Sequence, residues 1–108
     1  MSVAAHAPAN PYRGEAAFIV AGRQCVLRPS FAALVAAEDE LGPLFALVER
    51  AASGELKLGE MTALFWHCLV NHAEVPREAV GEAIVAAGLA AAAKPLRTLI
   101  EQILQGGG

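Results

Sequence analysis

The spacing of apolar and polar positions changes along this chain, and each change marks an element. Glu15 to Val20 and Gln24 to Arg28 are short β-prone runs joined by the Gly-containing link Ala21-Gly22-Arg23. Two such runs around a tight link predict a β-hairpin over about 15–28. Pro29 ends the second strand, because proline has no amide to give to a ladder. A lone two-stranded hairpin is marginal in water, so this one must lie on something.

From Ser30 onward the period becomes helical. Ser30 suits a helix N-cap, accepting a first-turn amide, and Phe31 to Leu41 follows with apolar Phe31, Leu34, Val35 and Leu41. Gly42-Pro43 breaks the chain, and a second helix runs from about Leu44 to Ala52, stopping at Ser53-Gly54. A third spans about Gly59 to Asn71, with Met61, Leu64, Phe65, Cys68 and Leu69 on one face. Ala63, Trp66 and Val70 make its opposite face apolar too, so it is either buried on all sides or partly covered by a partner. A fourth helix covers Pro76 to Ala87 and closes at Gly88. After Leu89 the tract Ala90 to Ala93 is strongly helix-permissive. Leu96, Leu99, Ile100, Ile103 and Leu104 then form a narrow stripe opposite Arg97, Thr98, Glu101 and Gln102, as in an outer helix.

The prediction is a mainly α fold: one small domain, residues 13–105, of about five short helices with an N-terminal β-hairpin. Residues 1–12, rich in Ala and Pro, read as a flexible arm, and 106–108 as a disordered tail.

Composition narrows the function. With 108 residues the chain makes one domain that buries roughly two-thirds of its unfolded surface. It is 56% hydrophobic but only 6% aromatic, so its core is built from Leu, Val, Ile and Ala. A net charge of −3 gives no basic footprint for nucleic acid. Charged residues interrupt every apolar run before it reaches membrane-spanning length, about 18 residues. The N-terminus shows no basic-then-apolar secretory signal, and Cys25 and Cys68 read as reduced thiols of a cytoplasmic protein.

The search for chemistry finds little. Cys68 and His72 are four apart and would share a helical face, two positions of a metal site, with Cys25 and His6 the only further soft ligands. The simpler reading is a buried Cys and a helix-terminal His, with no metal and no cofactor. Glu38, Asp39 and Glu40 are consecutive, so they point in different directions and form no facing acid–base pair; they read as a solvated helix end available to a basic partner. There is no nucleophile elbow and no phosphate-binding loop, which argues against an enzyme. A helix-turn-helix reading fails on charge, since the third helix has no Arg or Lys to offer base edges.

The segments Asn10-Pro-Tyr-Arg-Gly-Glu15, Leu27-Arg-Pro-Ser-Phe-Ala-Ala-Leu34 and Glu38-Asp-Glu-Leu-Gly42, with Leu44-Phe-Ala-Leu-Val-Glu-Arg50, Met61-Thr-Ala-Leu-Phe-Trp-His-Cys-Leu69 and Ala86-Ala-Gly-Leu89, carry a resemblance. In combination they resemble the tail assembly chaperones of gene transfer agents, the phage-like particles of alphaproteobacteria, a family also labelled tail tube protein. The resemblance implies a non-enzymatic helper that binds the tape-measure protein, the tail tube subunits or both during assembly and is absent from the finished particle. The alternative is a tube or terminator protein retained in the particle. Tube subunits generally depend on extensive sheet, and one hairpin favours the chaperone. Residues expected to meet the partner are Phe45, Trp66 and Val70, with Glu38 and Asp39 as an acidic contact. A homo-oligomer fits a chaperone on a long substrate. Trp66→Ala is expected to reduce partner capture more than it lowers the melting temperature.

Overall fold

The computed structural model describes residues 9–10 and 14–106, so most of the expected N-terminal arm, and residues 107–108 of the expected tail, lie outside the described residues. Strands β1 (Ala16–Val20) and β2 (Arg23–Leu27) form the hairpin, with Ala16 opposite Leu27 and Val20 opposite Arg23. Arg23 therefore belongs to the ladder, and the link is two residues long rather than the expected three. Ala21 and Gly22 both take left-handed backbone angles (φ 52° and 80°), the primed turn whose twist matches that of the strands. Ala16, Phe18 and Val20 point into the core with Cys25 and Leu27, while Ile19 stays in solvent.

Five helices follow. Helix α1 (Phe31–Leu41) starts at Ser30, whose hydroxyl accepts the Ala33 amide at 3.1 Å. Its buried residues are Ala33 and Ala37, whereas Phe31 and Val35 are exposed, which corrects the expected apolar face. The physical reason is distance: methyl side chains let α1 approach its neighbour closely, and Leu34 and Leu41 fill only the margins of that contact. Helix α2 (Leu44–Ala52) begins after Gly42, held at φ 93°. Pro43 offers it no side-chain cap, and the Glu38 carboxylate accepts the Leu44 amide at 3.0 Å instead.

Helix α3 (Leu58–Cys68) is the centre of the fold, with Met61, Thr62, Ala63, Leu64, Phe65 and Cys68 all buried. It packs against α1 and against α4 (Arg77–Ala87), and Phe65 meets Phe18 of the hairpin edge-to-face at 5.3 Å. Of its second apolar face, Ala63 is buried, Trp66 half-buried and Val70 exposed beyond the helix end, so central burial covers that face only in part. The helix is shorter than its sequence suggested, ending at Cys68 instead of Asn71. Leu69 turns extended and bridges to Leu27, the Arg28 amide donates to the Cys68 carbonyl at 2.6 Å, and the Val70 amide donates to the Val26 carbonyl at 3.0 Å. Backbone groups on the free edge of β2 thus take up the chain that would have made the last helical turn.

A short 3-10 helix, His72–Glu74, leads into α4, and Gly88 (φ 93°) turns the chain by 119° into α5 (Leu89–Gln105). Helix α5 returns along β1 and contains a buried Pro95. Leu27, Leu47, Leu64, Phe65, Leu69, Val80, Ile84 and Leu99 are fully buried, each contributing roughly 1.5–3 kcal/mol through burial. Glu15 is a charged residue of the core, held by the Arg28 Nε at 2.6 Å and the Asn10 amide at 2.9 Å. Among the described residues no single helix is long and apolar enough to cross a membrane; α4 and α5 reach that composition only as a bent pair.

Candidate functional site

The residues singled out from the sequence fall in three places. Phe45 and Glu38 line one groove, between α2 and the last turns of α5, together with Leu44, Val48, Ile103 and Leu104. The groove holds about 240 Å³. Its floor is local in origin: Leu44 and Val48 are four apart on α2, and Ile103 belongs to the apolar stripe of α5. Phe45 is 80% exposed and Leu104 53% exposed, so two large apolar side chains on separate helices stand at its edges in water. The sequence had no means of pairing α2 with the end of α5, because that contact is set by the turn at Gly88. Its local sign was the 44/45/48 stripe on a short helix, more apolar than one buried face requires.

Val70, beyond the end of α3, is half exposed and borders a second cleft of about 250 Å³ with Arg28, Ser30, His67 and His72. Three of the polar side chains of this cleft are already engaged, and the His72 ring packs on Trp66. Arg28 holds Glu15, the Ser30 hydroxyl caps α1, and the His67 Nε2 lies 2.9 Å from a Glu40 carboxylate oxygen. Cys68 is buried, and desolvation pushes its thiol up to about 12, so it is no nucleophile at neutral pH. With α3 ending at Cys68, His72 no longer shares a helical face with it, which removes the geometry of the metal reading. Among the described residues no three His, Cys, Asp or Glu side chains converge. Cys25 and Cys68 are free and buried, and His6 lies outside the described residues.

Trp66 sits in a third place, half-buried against the core. Its indole Nε1–H donates to the Val75 carbonyl at 2.7 Å, its ring meets the edges of His67 and His72, and the Arg77 guanidinium lies 4.9 Å above it. Arg77 also holds Glu40 at 2.5 Å, so Glu40, His67, Trp66 and Arg77 tie α1, α3 and α4 together. The Arg77 guanidinium, and His67 after it, hold the Glu40 carboxyl below the usual carboxylate range. Likewise Arg50, and then the Lys57 amide, lower that of Glu60 at the start of α3. The acidic run is therefore not a simple solvated helix end: Glu38 caps α2 and Glu40 clamps α3 to α4, while Asp39 is exposed. The partners of Trp66 and Glu40 escaped the sequence reading because Arg77 and Val75 carry no motif.

Residues 13–106 match the model of a family described as phage tail tube protein, GTA-gp10. No curated protein and no solved structure matches the chain.

Proposed function

The chain belongs to this phage tail tube protein family, and from that premise we propose that it is a tail assembly chaperone: a non-enzymatic protein of the producing cell's cytoplasm that binds the tape-measure protein, the tube subunits or both while the tail is built. The observation that carries the reading is the α2–α5 groove, where Phe45 and Leu104 stay in water although the core beside them is complete. An apolar groove of this kind suits a helix laid into it. The described residues contain a single sheet of two strands. Its β2 edge is partly occupied by the chain after α3, which leaves the five residues of β1 as the edge open to further strand pairing. Phe45 and Glu38 stand in the proposed contact, Val70 and Asp39 are exposed for a wider one, and Trp66 contributes through whatever part of its ring the internal cluster leaves free.

Quantitative mass spectrometry of purified particles against the producing lysate tests this. A chain abundant in the lysate and absent from particles is the expected result. Many copies per particle would overturn the chaperone and make this a structural tail protein.

A further inference from the structure

We propose that the α2–α5 groove docks an amphipathic helix whose apolar stripe is flanked by Lys or Arg. This deepens the chaperone reading and rests on it for the partner's role; the chemistry of the partner is read from the groove. Phe45 and Leu104, 80% and 53% exposed, stand on different helices across a floor of Leu44, Val48 and Ile103. That arrangement receives side chains spaced i, i+3/i+4 and i+7 along one helical face.

The charges nearest to it are acidic, and the nearest cation of α5, Arg97, lies two turns before Leu104. Glu38 lines the groove, Glu49 lies one turn along α2 from Phe45, and Glu101 lies one turn before Leu104 on α5. Glu49 and Glu101 are exposed and make no ion pair among the described residues. The one cation of α2, Arg50, is spent on Glu60 at 2.5 Å. The final two turns of α5, from Thr98 to Gln105, carry no cation at all. An acidic rim around an apolar floor selects basic flanks on the incoming helix and repels acidic ones. A second copy of this chain is disfavoured by the same argument. A two-fold contact sets each patch against itself, so the acidic rim would oppose an acidic rim.

The test is calorimetric titration of the full chain with two synthetic helical peptides. Each carries Leu at i, i+3, i+4 and i+7; one has Lys on the flanks and its twin has Glu. The Lys peptide is expected to bind at least ten-fold tighter than the Glu peptide at moderate salt. Phe45→Asp and Leu104→Asp, both at exposed positions, should each weaken it at least ten-fold without changing the circular dichroism melt. These variants also separate docking from general attraction. Each adds a negative charge, so unspecific binding of a cationic peptide would stay equal or tighten, and that result would overturn the proposal. So would equal binding of the two peptides, or no binding of either. Self-association of the chain, abolished by the same variants, would assign the groove to a second copy and overturn it as well. The particle assay reads the chaperone role independently. A chain absent from particles whose groove ignores the Lys peptide sinks the docking site alone; a chain retained in particles whose groove binds it sinks the chaperone reading alone.

Discussion

Trp66 distinguishes a residue that holds the fold from one that meets a partner, and the structure gives its substitution a magnitude. The indole makes one hydrogen bond, to the Val75 carbonyl at 2.7 Å, and lies under Arg77 at 4.9 Å. Trp66→Phe keeps most of the ring packing and removes the hydrogen bond, a loss of about 1 kcal/mol. The cation–π contact weakens rather than vanishes, adding roughly 0.5 kcal/mol for a partly exposed Arg. Trp66→Ala removes the packing as well; a fully buried ring costs ~3–5 kcal/mol, and a half-buried one about half of that. For a domain of this size 1 kcal/mol corresponds to about 4–6 °C in melting temperature. Trp66→Phe should therefore melt several degrees lower than the parent, and Trp66→Ala several degrees lower again.

Thermal and urea unfolding followed by far-ultraviolet circular dichroism measure this without relying on the indole as a probe. Phe45→Ala, at an exposed ring, is the matched control and should stay within about 0.5 kcal/mol of the parent, as isolated surface changes do. A Trp66→Ala variant that melts within a degree of the parent would refute the reasoning, because the 63–77 region would then hold without its indole. In that event a loss of partner capture by Trp66→Ala, measured separately, would bear out the expectation that the substitution reduces capture more than it lowers the melting temperature. A large loss of stability for Trp66→Ala, beside an unchanged melt and lost peptide binding for Phe45→Asp, would put the two residues in different roles.

Three further outcomes follow from particular contacts. Gly14 sits at φ +72°, and a Cβ added there would come within 2.5 Å of the Gln102 Cβ and Cγ on α5, so Gly14→Ala should lower the melting temperature clearly while Gly22→Ala, facing open space, suffers only the backbone strain. Glu40 and Glu60 titrate below the ordinary 4.5 in the folded chain, so the stability they contribute is present above that pH and is lost as the pH falls through their folded values; Glu40→Gln and Glu60→Gln should each flatten the acid limb of a stability profile by a fraction of about 1 kcal/mol, less in 1 M salt. Burial raises the Cys68 thiol from 9.0 to about 12, so it favours the fold below pH 9 and ceases to do so as the pH climbs toward 12; an aromatic disulfide reagent at pH 8 should label it only at the rate of unfolding, and prompt labelling of the native chain would contradict its burial.

Legibility in the sequence tracked how local each cause is. The Ser30 cap, the break at Gly42-Pro43 and the burial of α3 each depend on residues within a turn or two, and the helices appear where their periods put them. The errors come from long-range causes. Phe31 and Val35 looked like core because they are large and apolar, yet the close approach of α1 selects the Ala33–Ala37 face, a choice that depends on a neighbour 30 residues away. The end of α3 is set by the edge of β2, so no period in residues 59–71 could mark Cys68 as its last residue.

The groove shows the same division. Phe45 was visible as a large side chain on a short helix, but Leu104 read as one more member of a packing stripe. Only the 119° turn at Gly88 brings the end of α5 beside α2. Once there, Leu99 fills the core and Leu104, five positions on, projects past it into water. Burying Leu104 and Phe45 against each other would have needed a closer approach of two helices that meet only near their ends. The fold is complete without that approach, so the apolar surface left between them is not a packing fault within the core. It is surface whose cost in water, roughly 25 cal/mol for each Å² exposed, is recovered only when something covers it. The acidic positions around it then decide which helices are able to do so.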